Sequence, residues 1–319
     1  MHLANKYIQV TFDNVEIAFT YATGDLGQGG VISMTDADIL KIENSLIEDT
    51  YSTTSTILYS TAQTVEIEFS YNIFICENSF SADKAYTKDY LDQDEPTTTS
   101  SNGCQIENAV KVTSTENSYS QCGIGTRGGM FRLVSTEFHE YKSKYTNIAA
   151  SRGGVINCQD CEMYLVSAEF VKNYAHRGGV IVLSQGAHMD VAGCTFEENI
   201  AAYSGGVIFV NTESYFDIRS SAFLSNYANS SSVIDVLGSS STNQLEIYQC
   251  RFERNEAIES TISFMFALSE ISSCYFTRNI AQQRTKNIFM GFSEVSIRDT
   301  TFRSTPVLNP TEYSLDDDT

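Results

Sequence analysis

Tryptophan is absent from the 319 residues, proline occurs only three times, and 20 basic side chains stand against 40 acidic ones. The net charge of -20 disfavours nucleic acid or an anionic membrane surface as a partner, because both repel an acidic chain. Cations and basic proteins fit better. No stretch approaches the roughly 20 consecutive apolar residues that a membrane helix needs. The opening Met1-His2-Leu3-Ala4-Asn5-Lys6 lacks the charged start and apolar run of a signal peptide, so the numbering is expected to begin inside a longer precursor. A helical apolar period is also missing. With 18 Tyr and 19 Phe present, the composition suits many short strands and not a helix bundle or a disordered chain.

What the chain does have is a repeat of about 26 residues, and a fixed period of that size overrides the prior from length and argues one elongated stack. Gly153-Gly154-Val155-Ile156 returns as Gly178-Gly179-Val180-Ile181 and Gly205-Gly206-Val207-Ile208, then more weakly as Ser231-Ser232-Val233-Ile234 and Ser260-Thr261-Ile262. Phe170-Val-Lys-Asn173 is followed by Phe196-Glu-Glu-Asn199, Phe223-Leu-Ser-Asn226, Phe252-Glu-Arg-Asn255 and Phe276-Thr-Arg-Asn279. An earlier copy opens at Gly29-Gly30-Val31-Ile32, with Asp49 standing where later copies have Asn. A more degenerate turn runs from Thr56 to about Cys76. From Glu77 to Gly103 the rhythm breaks into a polar, acidic stretch that reads as a loop insertion. Its Asp92-Gln-Asp94-Glu95 lacks the Gly and distal Glu of an EF-hand and reads as solvated.

A unit with three short alternating runs cannot bury a core alone, but it can coil once and stack on its neighbours. The expected fold is therefore all-β: a right-handed, single-stranded parallel β-helix of roughly nine to ten coils. It covers 1–305, with 1–28 as cap or first coil, 77–103 as the insertion and 306–319 as a tail or linker. Stacking places equivalent residues in ladders. Ile156/Cys158, Ile181/Leu183, Ile208/Val210 and Ile234/Val236 should point inward, as should Met163/Leu165, Met189/Val191, Phe216/Ile218 and Leu245/Ile247. The Phe residues should stack as an aromatic ladder. Each Asn should occupy a tight left-handed bend and pass hydrogen bonds from coil to coil, and the Gly-Gly pair should fill a corner where side chains would clash.

The eight cysteines then sort by position. Cys158, Cys194, Cys250 and Cys274 should lie inward as small apolar thiols. Cys194 and Cys250, two coils and about 10 Å apart, are too distant to bridge. Cys161 completes a single Cys-x-x-Cys, weak evidence for zinc. Cys76, Cys104 and Cys122, flanking the insertion, are the better disulfide candidates. Asn229-Ser230-Ser231 is the one glycosylation acceptor sequence.

With Gly-Gly-x-Ile and Phe-x-x-Asn alternating from about Gly29 to Phe302, the chain resembles right-handed parallel β-helix proteins of the pectin-lyase-like superfamily. The repeats of polymorphic outer-membrane and adhesin-type proteins are the nearest in pattern. The resemblance implies a scaffold exposed at a cell surface or outside the cell. It specifies fold far better than activity, since that superfamily includes polysaccharide lyases and hydrolases beside noncatalytic proteins.

Two outward rows are candidate binding features. Asp190, Asp217, Glu246 and Glu270 form a ladder of carboxylates on four successive coils, a candidate cation-binding row with calcium as the candidate ion. Val182, Phe209, Asp235, Phe264 and Met290 occupy the third position after the Gly-Gly corner, and the apolar Val182, Phe209, Phe264 and Met290 form a candidate protein-binding stripe. Catalytic constellations are local exceptions to a repeat, whereas these rows are the repeat. The Asn-Thr-Asp, Asp-Asp, Gly-His-Gly and Arg-Ile-Lys signatures of polygalacturonases are absent, and His176-Arg177 beside a Gly-Gly corner reads as a solvated turn. The expectation is a noncatalytic scaffold that binds protein partners through its outer faces, with no required cofactor. The alternative is a carbohydrate-active enzyme on the same fold, with carbohydrate as its ligand.

Overall fold

A computed structural model describes residues 9–18, 21–22, 31–35, 38–48, 51–52, 55–63, 65–75, 102–122, 125–211, 213–238, 245–284 and 287–303. Cys76, the insertion up to residue 101, the tail 306–319 and the Gly29-Gly30 corner lie outside these residues. Every element within them is a strand and every pairing is parallel, giving a β-solenoid of about nine turns.

One regular coil shows the construction. Glu162–Val166 belongs to a first, eleven-stranded sheet, and Glu169–Val171 to a second of the same size. Tyr174–Arg177 joins a seven-stranded third sheet and Ile181–Ser184 a ten-stranded fourth. The next coil repeats the path one strand along, pairing Met163 with Met189, Phe170 with Phe196, Ala175 with Ala201 and Ile181 with Ile208. Alternation then aims every second side chain into the lumen. Both expected sets of inward pairs are buried, from Ile156 and Cys158 to Leu245 and Ile247.

The aromatic ladder runs further than the Phe-x-x-Asn motif. Rings from Phe170 through Phe196, Phe223 and Phe252 to Phe276 stack with centroids 4.4 to 4.9 Å apart and planes within 7°. Phe74, Tyr119 and Tyr145 continue the column at 4.8 to 4.9 Å, and Phe302 closes it at 5.0 Å. The two tyrosines bring hydroxyls into the lumen, where Glu140 occupies a position that holds Leu165 in the next coil. Its buried carboxylate accepts from Tyr145 and from the Ser143 N–H at 2.9 Å, while Tyr119 bonds Ser114 at 3.0 Å. Burial holds the Glu140 carboxyl above its ordinary range, which favours its protonated form.

At the corner between the second and third sheets each buried Asn amide spans coils. Asn173 Nδ2 donates to Asn199 Oδ1 at 3.0 Å, and the chain continues through Asn226 and Asn255 to Asn279 at 3.0 to 3.1 Å. The left-handed residue is the one before the Asn, however: Lys172, Glu198, Ser225, Arg254 and Arg278 all have φ between 53° and 56°. The Asn is chosen for its amide and not for its backbone. The Gly-Gly corner behaves as expected, since a Cβ on Gly179 would stand 2.1 Å from the Gly206 carbonyl.

A further corner, between the first and second sheets, explains three of the four described free cysteines. Ser45, Asn72 and Asn117 each accept a backbone N–H from the preceding coil or pass one on. Cys194, Ser221, Cys250, Cys274 and Thr300 stand in the same column. Ser221 Oγ accepts from Cys194 N at 3.1 Å, Cys274 Sγ from Cys250 N at 3.4 Å, and Thr300 Oγ1 from Cys274 N at 3.3 Å. Cys274 therefore serves as a polarizable acceptor as well as a buried apolar group. Cys104, Cys194, Cys250 and Cys274 are free and buried, which corrects the expectation that Cys104 bridges. Cys122 is disulfide-bonded. Cys158 and Cys161 are bonded to each other, so the inward Cys158 is not a free thiol, and the Cys-x-x-Cys is a short cross-link within the turn.

Candidate functional site

The third and fourth sheets meet at the Gly-Gly corner in a re-entrant angle, so side chains that leave the lumen there meet one another instead of solvent. Val182 and Phe209, outward in their strands, are buried, as are Ser204 and His176 from the third sheet. The Arg177 guanidinium lies 5.6 Å from the Phe209 ring centre and Arg284 4.7 Å from that of Phe289, attractive cation–π distances. His176-Arg177 is thus no solvated turn: the imidazole is buried and the guanidinium roofs an aromatic ring.

The predicted stripe needs correction at two of its four residues. Ile262 pairs with Ile234 and Ser263 with Asp235, across a register shift between Ser231 and Ile234. This coil reaches its strand one residue early, as its shortened Ser260-Thr261-Ile262 opening allows. Phe264 therefore pairs with Val236, points inward and is fully buried in the core. Met290, opposite Phe264, follows the inward register and is half exposed only because it lies in the last coil. The true outward row is Asn157, Val182, Phe209, Asp235, Ser263 and Phe289, and its apolar members are already covered by this chain's own arginines and corner.

Along this angle opens a cleft of about 360 Å³ whose lining includes Arg177, Tyr203, Ser204, Phe209, Asp235 and Glu259. Ser204 Oγ donates to the buried Asp235 carboxylate. Burial, together with repulsion from Glu259, raises the Asp235 carboxyl to about 6, against the opposing effects of the Ser263 hydroxyl and Arg177. Glu259 is held by Ser230 Oγ at 3.0 Å and Arg284 at 3.4 Å. Asn229 of the acceptor sequence stands on the rim, receiving the Tyr227 hydroxyl at 3.1 Å. The period hides this site, because Asp235 is the one carboxylate in a row that otherwise runs Asn157, Val182, Phe209, Ser263 and Phe289, and its partners come from three coils.

On the first sheet the carboxylate ladder stands in the expected register: Asp190 pairs with Asp217, Asp217 with Glu246, and Glu246 with Glu270. It is not evenly solvated. Asp190, Asp217 and Glu270 are half-buried, and burial, aided by Glu246 and Asp190, raises the Asp217 carboxyl while His188 and Arg219 oppose the shift. Arg298 relieves Glu270 at 3.7 Å. His188, two residues before Asp190 and therefore on the same outer face, places Nε2 3.4 Å from Asp190 Oδ1. The His188-x-Asp190 spacing carries this signal in the sequence.

These features define a parallel β-solenoid repeat protein with a cleft at a sheet corner and an acidic row on the first sheet. No protein-family model, curated protein or solved structure matches the chain.

Proposed function

We propose that the chain is a noncatalytic interaction scaffold, a segment of a surface or extracellular protein that binds protein partners. The observation that carries this reading is an exposed apolar patch at the corner between the fourth and first sheets of the last coils. Phe266 and Phe292 stack there, centroids 5.2 Å apart and planes within 6°, with 57% and 84% of each residue exposed. Leu237, paired with Met265 of the following coil, is exposed as well and lines the cleft described above. A contiguous exposed aromatic surface of this kind usually meets something.

The occupant that fits is the opposite end of a second copy. From Arg278 to Arg303 the chain carries five basic and two acidic side chains, whereas residues 9–49 carry eight acidic and one basic. Complementary ends attract across an interface and suppress other pairings. Light scattering after gel filtration tests this: mass should rise with concentration in low salt, and Phe266→Ser with Phe292→Ser should leave a folded monomer. A wild-type monomer at all concentrations and salts would remove the second copy as occupant and leave the patch without its partner.

The enzymatic reading keeps one specific support, the cleft where Asp235, raised to about 6, faces Glu259 and Arg177. Glycoside hydrolysis needs such a protonated acid beside a second carboxylate. Turnover of acidic or neutral polysaccharides that disappears in Asp235→Asn would replace the scaffold reading; no turnover by the wild type is the expected result.

A further inference from the structure

We infer that His188, Asp190 and Asp217 form a binding site for a single divalent transition-metal ion of the zinc, cobalt or manganese class. Strand alternation sends His188 and Asp190 out of the first sheet together, and the register sets Asp217 beside Asp190 on the next coil. One ligand atom from each of the three lies within 4.8 Å of the others, a spacing that a bound ion closes with side-chain rotations alone. An imidazole and two carboxylates leave a coordination position for water, the donor set of an open three-ligand site.

A second observation singles out His188 from the acidic row. Its Nε2 is sealed from solvent and makes no hydrogen bond among the described residues. The 3.4 Å approach to Asp190 Oδ1 is an ion-pair distance that lacks hydrogen-bond geometry. The ring is fixed in this orientation: Tyr215 stacks on it at 4.3 Å and 19°, and Tyr164 meets it edge-on at 6.5 Å. A buried ring nitrogen held against two carboxylates without a donor or acceptor of its own is explained by an ion between them. Asp190 and Asp217, neighbours in the ladder, repel each other, and the same ion would neutralise both.

The donor set also selects the metal. Calcium takes six to eight oxygens, and the outer face offers two carboxylates with a nitrogen in the midst of them. Imidazole with carboxylate suits borderline first-row ions. The candidate ion for this row is therefore a transition metal at its His188 end, instead of calcium spread along it. Glu246 and Glu270, further along and with Glu270 paired to Arg298, take no part.

Titration calorimetry of the full chain, stripped of metal by chelator, tests the site with zinc chloride and calcium chloride. Zinc should bind at one equivalent and calcium should not compete with it. His188→Asn and Asp217→Asn should each weaken zinc at least tenfold, whereas Glu270→Gln should leave it unchanged. Cobalt offers a readout on the wild type alone, since a His-carboxylate site of low coordination number absorbs visible light far more strongly than the weakly coloured hexaaqua ion, and zinc should bleach that added intensity. Absence of saturable zinc binding would overturn the proposal and leave His188 and Asp190 as an ion pair. Equal loss in all three variants would overturn it too, by showing diffuse attraction to the whole row. Neither outcome bears on self-association through Phe266 and Phe292, which is measured separately.

Discussion

Asp235 shows how one side chain departs from its row at a cost in stability. Its neighbours in register are Phe209 and Ser263, and it is buried against Ser204. With a folded-state value near 6 against an ordinary 3.8, the folded protein holds the proton more tightly than the unfolded chain does. Stability contributed by this group is therefore present at low pH and lost as pH rises from about 3.8 to about 6. The rise from 3.8 to about 6 corresponds to about 3 kcal/mol. Asp235→Asn keeps the acceptor for Ser204 without the charge. Urea unfolding at pH 4 and pH 7 should show the variant gaining on the wild type by up to about 3 kcal/mol across that interval. A constant difference between the two pH values would mean that Asp235 ionises freely. Glu140, raised for the same reason of burial, is present in both proteins and cancels in the comparison.

At the scale of the element, the corners hold the stack in register, and Asn226 is a central member of its column. Its Oδ1 accepts both the Asn199 N–H at 2.9 Å and Asn199 Nδ2 at 3.1 Å, and its Nδ2 donates to Phe196 O at 3.0 Å. Asn226→Ala strands these groups in a buried corner at about 1 kcal/mol or more each, so a loss of about 3 kcal/mol or more is expected in denaturant titration. A loss below about 1 kcal/mol would mean that water replaces the amide. Much of this was legible from sequence alone: Phe-x-x-Asn at a fixed period gave the ladder, and Gly-Gly gave a corner that tolerates no Cβ. Other features were hidden for physical reasons. Tyr119 and Tyr145 join the Phe column without an Asn three residues later. The shortened Ser260-Thr261-Ile262 opening moves Phe264 from the outer face to the lumen by a single residue, because side-chain direction alternates at every step. Cleft residues converge from different coils across a corner, and no period along the chain records such a meeting. His188 was missed because it neighbours the acidic row without belonging to it.

Across the whole molecule, each described coil pairs its strands with those of the coils before and after it, so stability is a sum of local interfaces and the ends are its weakest members. The ladder column shows this gradient. Phe170, Phe196, Phe223 and Phe252 are fully buried, while Phe302 has an open face with 44% of the residue exposed, and Met290 is 51% exposed although its register points inward. Glu294–Arg298 has a partner strand on one side only among the described residues, so its outer edge lacks the second ladder that locks His188–Ala192 between two neighbours. Local opening therefore costs least at this end. Amide hydrogen exchange at low protein concentration should give protection that is greatest around 162–224 and falls through 268–272 to a minimum at 288–303. Raising the concentration in low salt should protect 288–303 selectively, because a second copy seated on Phe266 and Phe292 would supply the missing edge. Protection of 294–298 equal to that of 188–192 in the dilute protein would show that another part of the chain already covers this end, and the exposed aromatic pair would then need a different explanation.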